Sequence, residues 1–240
     1  MKKKLLLLIA FVFSFSILTG CSEKEKEVEK SDALKFKEEY ESINGIIREK
    51  DGKEIRTIEI DEETPFVYKE AEDIVEMIKN KETFVVYFGF KDCPWCRSVL
   101  PTLVEVSKDL GLDTIYYVDV KDIRDVVKVD EDGNQVTEKE GSKGYYQLLE
   151  VLDNVLVDYT LTDSEGNNIE TGEKRIMAPN VVSVVKGVPE VLETGISENQ
   201  KNGYQKLTDE MIKETYEKFK CALKCVINEA KTCSYDQNGC

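Results

Sequence analysis

Residues 83–103 read TFVVYFGFKDCPWCRSVLPTL, and this stretch decides the fold class. Its first part, residues 83–90, is an unbroken apolar, β-rich run. Such a run suits a central strand buried on both faces, because a strand with one wet face would alternate. The motif Cys93-Pro94-Trp95-Cys96 follows at once. Beyond it Val99, Leu103, Val106 and Leu110 recur roughly in helical phase, which predicts a helix over residues 97–110 that stops at Gly111. The two cysteines are therefore expected at a strand-to-helix junction. There, unpaired backbone N–H groups and the positive end of the helix dipole stabilise a thiolate. The first cysteine of such a motif can titrate at about 3.5–7.5. Cys93 is accordingly read as the nucleophile and Cys96 as the thiol that resolves the mixed disulfide. Pro94 suits a first helical turn, where no N–H is needed. Trp95 is expected to present an exposed apolar face for docking a peptide-like partner.

Two blander readings of the pair are half of a zinc site and a structural disulfide. The chain has no histidine, so zinc would need further thiolates, which an oxidising compartment would tend to oxidise. The same absence excludes Ser-His-Asp and Cys-His catalysis. The 48 acidic residues against 33 basic ones, a net charge of −15, argue against non-specific nucleic-acid binding, which depends on neutralising phosphates. No cofactor or metal is expected. Hydrophobic residues at 41% suffice for a packed core.

The chain opens with Met1-Lys2-Lys3-Lys4 and an apolar run over residues 5–18, too short to span a bilayer comfortably. Leu18-Thr19-Gly20-Cys21 resembles a bacterial lipobox. That resemblance implies cleavage before Cys21, a lipid on its sulfur, and a mature chain held on the extracytoplasmic face of a cell membrane, as in a Gram-positive bacterium. An uncleaved anchor and an ordinary signal cut at Gly20 are the alternatives. All three place the folded part outside the cytoplasm, where disulfides persist. Residues 22–30, SEKEKEVEK, read as a charged tether. The expected organisation is a signal segment over 1–20, a lipidated N-terminus with tether and short helix over 21–50, a folded domain over 51–220, and a helix end with tail over 221–240.

Further elements follow from periodicity. Residues 33–43 read as a short helix and 55–60, IRTIEI, as a half-buried strand. Residues 70–80 place Ala71, Ile74, Val75 and Ile78 on one helical face. Residues 114–120 read as a second buried strand, 142–152 as a helix, and 155–162 as a strand ahead of a turn cluster at 163–168. Residues 181–185 and 188–193 form a hairpin about Lys186-Gly187. Residues 208–230 form a long amphipathic helix with Thr208 as N-cap.

The segment containing CPWC resembles the active-site segment of thioredoxin-like proteins. Pro101 matches the proline that kinks their helix, and Asp119 closes the next strand as theirs does. Met177-Ala178-Pro179-Asn180, followed by VVSVVKG, is similar to their cis-proline loop. The resemblance covers roughly residues 55–230. It implies an α/β thioredoxin-like fold with a central mixed sheet flanked by helices, an insertion over 120–175 with a hairpin around Gly166, and a cysteine-containing C-terminal helix and tail. It also implies a cis Ala178–Pro179 bond facing the cysteine pair, with Ala178 and Pro179 as substrate-binding positions beside the docking face read at Trp95. The implied activity is thiol–disulfide exchange on exported proteins, with a separate redox partner recycling the pair. Among such proteins the CPWCR motif and the long middle region look like those of Gram-positive bacteriocin transport accessory proteins. The chain departs from the family in three ways: Tyr87 stands at the position of the buried acid, the interval from Asp119 to Pro179 is long, and the motif is CPWC rather than CGPC. A redox-inactive binding module and a metal chaperone using the Cys93–Cys96 pair are the competing readings.

Cys221 and Cys225 lie one turn apart on the last helix, and Cys233 and Cys240 follow in the tail. An even set outside the cytoplasm reads as two structural disulfides. Three pairings are open. The nested one, Cys221–Cys240 with Cys225–Cys233, lets the tail fold back along the helix face. A second redox relay or a four-thiolate metal site is the alternative.

Overall fold

A computed structural model describes residues 30–130, 133–162 and 165–229. The expected signal segment, Cys21, most of the tether, Cys233 and Cys240 lie outside the described residues. The elements in chain order are α1 (Asp32–Glu41), β1 (Phe66–Tyr68), α2 (Ala71–Lys79), β2 (Phe84–Gly89), α3 (Pro94–Asp109), β3 (Ile115–Asp119), β4 (Val126–Val129), β5 (Gln135–Lys139), α4 (Lys143–Leu152), β6 (Asp158–Thr162), β7 (Asn168–Lys174), β8 (Asn180–Val185), β9 (Val188–Glu193) and α5 (Asp209–Ile227). No helix among the described residues is long and apolar enough to cross a membrane.

The apolar run becomes the middle strand of a five-stranded sheet, in the order β1-β3-β2-β8-β9. β1, β3 and β2 are parallel, and β8 and β9 run antiparallel to their neighbours. Parallel pairing requires crossovers, and α2 and α3 supply them. Alternate side chains of β2 enter two separate cores. Val85 and Tyr87 pack with α1, α3 and α5; Val86 and Phe88 pack with α2 and α4. Every residue of β2 is buried, which is why its sequence shows no polar alternation. The molecule is thus α/β, with a mixed central sheet flanked by helices.

α1 belongs to the packed unit, which begins ahead of residue 51. Phe36 and Tyr40 are fully buried against Phe66 and Tyr117. The strand expected over residues 55–60 does not form, although Ile55, Ile58 and Ile60 are buried as an alternating strand would require. Side chains occupy the place of a strand partner. Asn44 donates to the Ile58 carbonyl at 2.9 Å and accepts from the Ile58 N–H at 3.1 Å. Glu41 accepts from the Ile60 N–H at 2.8 Å. With its backbone groups satisfied this way, the segment has no need of a ladder. β1, three residues long, escapes sequence reading because it is too short to show a period.

α3 begins at Pro94 itself and contains Pro101. Gly111 takes a φ of 65° just past its end, the conformation that glycine permits at low cost. Two hairpins, β4–β5 and β6–β7, stand apart from the main sheet between β3 and β8. The second spans Gly166 as expected, though Val155 and Leu156 close the end of α4 rather than start β6. The first was not legible in the sequence: its strands are short and mostly exposed, so no apolar stripe marks them. A buried Asp125–Arg175 ion pair joins the first hairpin to the end of the second, with Arg175 over the Tyr159 ring at 4.5 Å.

Asn44→Ala removes both hydrogen bonds to Ile58 and leaves buried backbone groups unpartnered, at a cost of about 2 kcal/mol or more. Urea denaturation is expected to show a lower midpoint with an unchanged slope.

Candidate functional site

β2 ends beneath the first turn of α3, and this junction places the cysteine pair. Cys93 is the N-cap of α3, and its Sγ accepts a hydrogen bond from the Cys96 N–H at 3.3 Å. The Cys96 side chain, donating to the same sulfur, is the largest influence holding the Cys93 thiol below the ordinary range. Burial opposes it, while the Cys96 and Trp95 N–H groups and the Arg124 guanidinium add to it. Arg124 is steadied over the Phe90 ring at 5.1 Å. Cys96 behaves oppositely. Complete burial, then its bond to Cys93, pushes its thiol well above the ordinary range. One sulfur is poised to ionise and the other to keep its proton, which is the asymmetry that stepwise thiol exchange needs.

The Ala178–Pro179 bond is cis, and the Ala178 carbonyl lies 3.3 Å from Cys93 Sγ, accepting from it in the thiol form. The loop and the motif, eighty-five positions apart in the chain, therefore meet at one sulfur. Asn180, fully buried, ties the loop down: its side chain donates to the Pro179 carbonyl at 2.8 Å and accepts from the Met177 N–H at 3.1 Å. Trp95 does not stand free as expected. It is half-buried and packs against the core, because the segment after β9 leans on the motif. A Cβ on Gly203 would stand 2.7 Å from the Pro94 carbonyl carbon and 2.8 Å from the Trp95 nitrogen, so only glycine permits this approach. Gln200 in the same segment donates to Ser98 Oγ at 2.9 Å. Residues 196–207 carry no period, and nothing in their sequence marks this contact.

Two buried residues frame the pair from below. Arg97 is 1% exposed. Its guanidinium donates to the carbonyls of Arg56, Tyr40 and Lys91 at 2.7, 2.9 and 3.0 Å, and to the Asn44 side-chain oxygen. Tyr87 is fully buried, and its hydroxyl lies 3.5 Å from the Tyr40 hydroxyl. Burial, followed by the nearness of Cys96, holds the Tyr87 phenol well above its ordinary range, so it stays protonated. Asp92, next to Cys93, is paired with Lys121 at 2.8 Å.

Cys221 is disulfide-bonded and, like Cys225, is buried on α5. The proposed pairings with Cys233 and Cys240 involve residues outside those described. Among the described residues, no three of Cys, Asp and Glu converge as a metal ligand set would. No family model matches the chain, and no curated protein or solved structure matches it.

The lowered pKa of Cys93 has a direct consequence. As pH falls from 9, the rate of Cys93 alkylation by iodoacetamide should stay level through the range where an ordinary thiol protonates, and drop only below the lowered pKa of Cys93. Cys96 should remain unmodified across that range, as peptide mapping of the reduced, alkylated protein would show.

Proposed function

We propose that the chain has a thioredoxin-like fold and is a membrane-anchored, extracytoplasmic thiol–disulfide oxidoreductase acting on exported proteins. One observation carries this reading. A cysteine with a depressed pKa caps α3, a second cysteine with an elevated pKa lies buried one turn on, and the carbonyl before a cis-proline touches the first sulfur. The strand order, with three parallel strands followed by an antiparallel hairpin, supports the fold assignment. In the proposed reaction the Cys93 thiolate attacks a substrate disulfide and expels one thiolate. Cys96 then attacks the Cys93 sulfur and releases the second, leaving the pair oxidised for a redox partner to reset. Cys93 is 3% exposed, so a partner must press closely against Ala178, Pro179 and Trp95 to reach it.

The lipobox reading supports the address. Detergent extraction followed by mass spectrometry is expected to find a diacylglycerol mass on Cys21; a mature chain released without detergent and lacking that mass would sink the anchoring. For the chemistry, Cys93→Ser should abolish turnover of a small disulfide, and Cys96→Ser should accumulate mixed disulfides visible on non-reducing gels. Unchanged turnover by the Cys93 variant would refute the assignment.

A further inference from the structure

Beside the first turns of α3 lie two adjoining cavities of about 420 and 510 Å³ that share Arg56 and Lys206 in their lining. Lys53, Glu54 and Tyr204 complete the first. The Tyr204 hydroxyl accepts from Arg48 and donates to Asp51 at 3.3 Å, so the ring is fixed. The Lys53 ammonium lies 4.7 Å from the centroid of that ring, which keeps its charge at the cavity. Arg56 spends Nη2 on the carbonyls of Gly203 and Gln205. Its Nε–H is buried with no acceptor among the described residues, a state that costs free energy until an oxygen arrives. Burial pulls the Arg56 pKa down, and no carboxylate offsets it. Lys53, Arg56 and Lys206 form no ion pair among the described residues, in a chain whose net charge is −15. The acids on the lining are Glu54 in the first cavity and Glu59 in the second, which leaves the groove positive. The second cavity adds apolar lining from Pro101, Leu207 and Ile212, together with Arg97. Arg97 follows Cys93 by one helical turn, about 5.4 Å of rise, and its N–H bonds the Cys93 carbonyl at 3.0 Å. Arg56 also meets the motif through Gly203, the residue that leans on Pro94 and Trp95.

We infer that this groove seats a segment of a partner protein, with a carboxylate against Arg56, Lys53 and Lys206 and an apolar side chain against Pro101, Leu207 and Ile212, while a cystine in the same segment reaches Cys93. The inference rests on the oxidoreductase reading above and names its substrate class: exported proteins with Asp or Glu close in sequence to the cysteine attacked. Charge complementarity selects the acid. The rest of the chain carries the acidic excess, but at physiological ionic strength its repulsion fades beyond about 8 Å, and the cations of the groove then act locally. A guanidinium already held by two carbonyls has little freedom left to lose on binding. The recess favours a side chain over a lipid surface. Arg56 is half-buried while Lys53 and Lys206 are exposed, so a flat anionic surface would meet the lysines and leave the guanidinium unsatisfied.

Short synthetic peptides test the groove. Each holds one cysteine as a mixed disulfide with thiopyridine, an apolar residue, and an Asp placed a few positions from the cysteine, in a series that varies the spacing. Cys93 attacks the peptide sulfur and the peptide–thiopyridine S–S bond breaks. Its electron pair leaves on thiopyridine, which takes a proton from solvent and absorbs as the thione. Rates are read on the full chain with the Cys93–Cys96 pair reduced, and the Cys93→Ser chain subtracts other thiols. At least one Asp peptide is expected to react about tenfold faster than its Asn twin, the size of one hydrogen bond to a charged group, with the ratio falling as salt rises. That ratio should drop toward unity in Arg56→Gln and in the Lys53→Gln, Lys206→Gln double variant. The double variant changes exposed side chains only and decides the matter should Arg56→Gln fail to fold. Equal rates for every Asp and Asn pair on the unsubstituted chain, or a ratio that survives in the folded variants, would overturn the docking groove and leave the oxidoreductase reading standing. Equal rates joined to lysine-dependent binding of phosphatidylglycerol vesicles would overturn it in favour of a membrane contact. No Cys93-dependent release from any peptide would overturn both readings.

Discussion

Arg97 carries a full positive charge into the interior with no ion-pair partner among the described residues. Such a charge is tolerated only where its five N–H groups find oxygen. Here they find three carbonyls and one side-chain amide, drawn from the end of α1, the extended segment near Arg56 and the turn just before Cys93. This requirement organises the surroundings of the cysteine pair. Asn44 serves both Arg97 and the backbone of Ile58, so the segment that might have been a sheet strand is held instead as a wall beside α3. The Lys91 carbonyl, two positions before Cys93, is gripped by the same guanidinium, which fixes the turn from which α3 starts. Replacing Asn44 would leave a guanidinium N–H group buried without its acceptor, and replacing Arg97 would leave buried carbonyls without their donor.

The asymmetry of the two thiols follows from where that turn delivers them. Cys93 stands at the helix N-terminus and receives donors from Cys96 and from the chain itself; Cys96 is one turn deeper, among aromatic rings. The bond from the Cys96 side chain, helped by the capping N–H groups, therefore lowers one pKa, and desolvation raises the other. The aromatic cluster of Phe36, Tyr40, Phe66, Tyr87 and Tyr117 has a double character in this setting. Its rings fill the core, and the Tyr40 and Tyr87 hydroxyls meet within it at 3.5 Å. The Tyr40 carbonyl, which receives Arg97, gives α1 a stake in the site, although composition alone attaches that helix to a tether.

The central strand, the helix after it, the hairpin about Lys186-Gly187 and the capped α5 were all legible from periodicity and turn residues, because each is dictated locally. Lys186 and Gly187 both take positive φ, the geometry a tight hairpin demands. The pairing of Cys93 with the Ala178 loop was reached only through family resemblance. The extended path of residues 55–60, the lean of Gly203 on the motif, and the covering of Trp95 were not legible. Each depends on a contact with a segment far away in the chain.

By itself, the sequence determined the α/β alternation, the strand-to-helix seat of Cys93 and Cys96, and the strongly acidic charge, since hydrophobic period, capping and charge are properties of neighbours along the chain. The tertiary structure alone decided which oxygens receive Arg97, that the Tyr40 and Tyr87 hydroxyls meet in the core, and how little of Cys93 is open to a partner. Those depend on groups brought together from α1, β2, α3 and the Ala178 loop, and no window of sequence contains them at once.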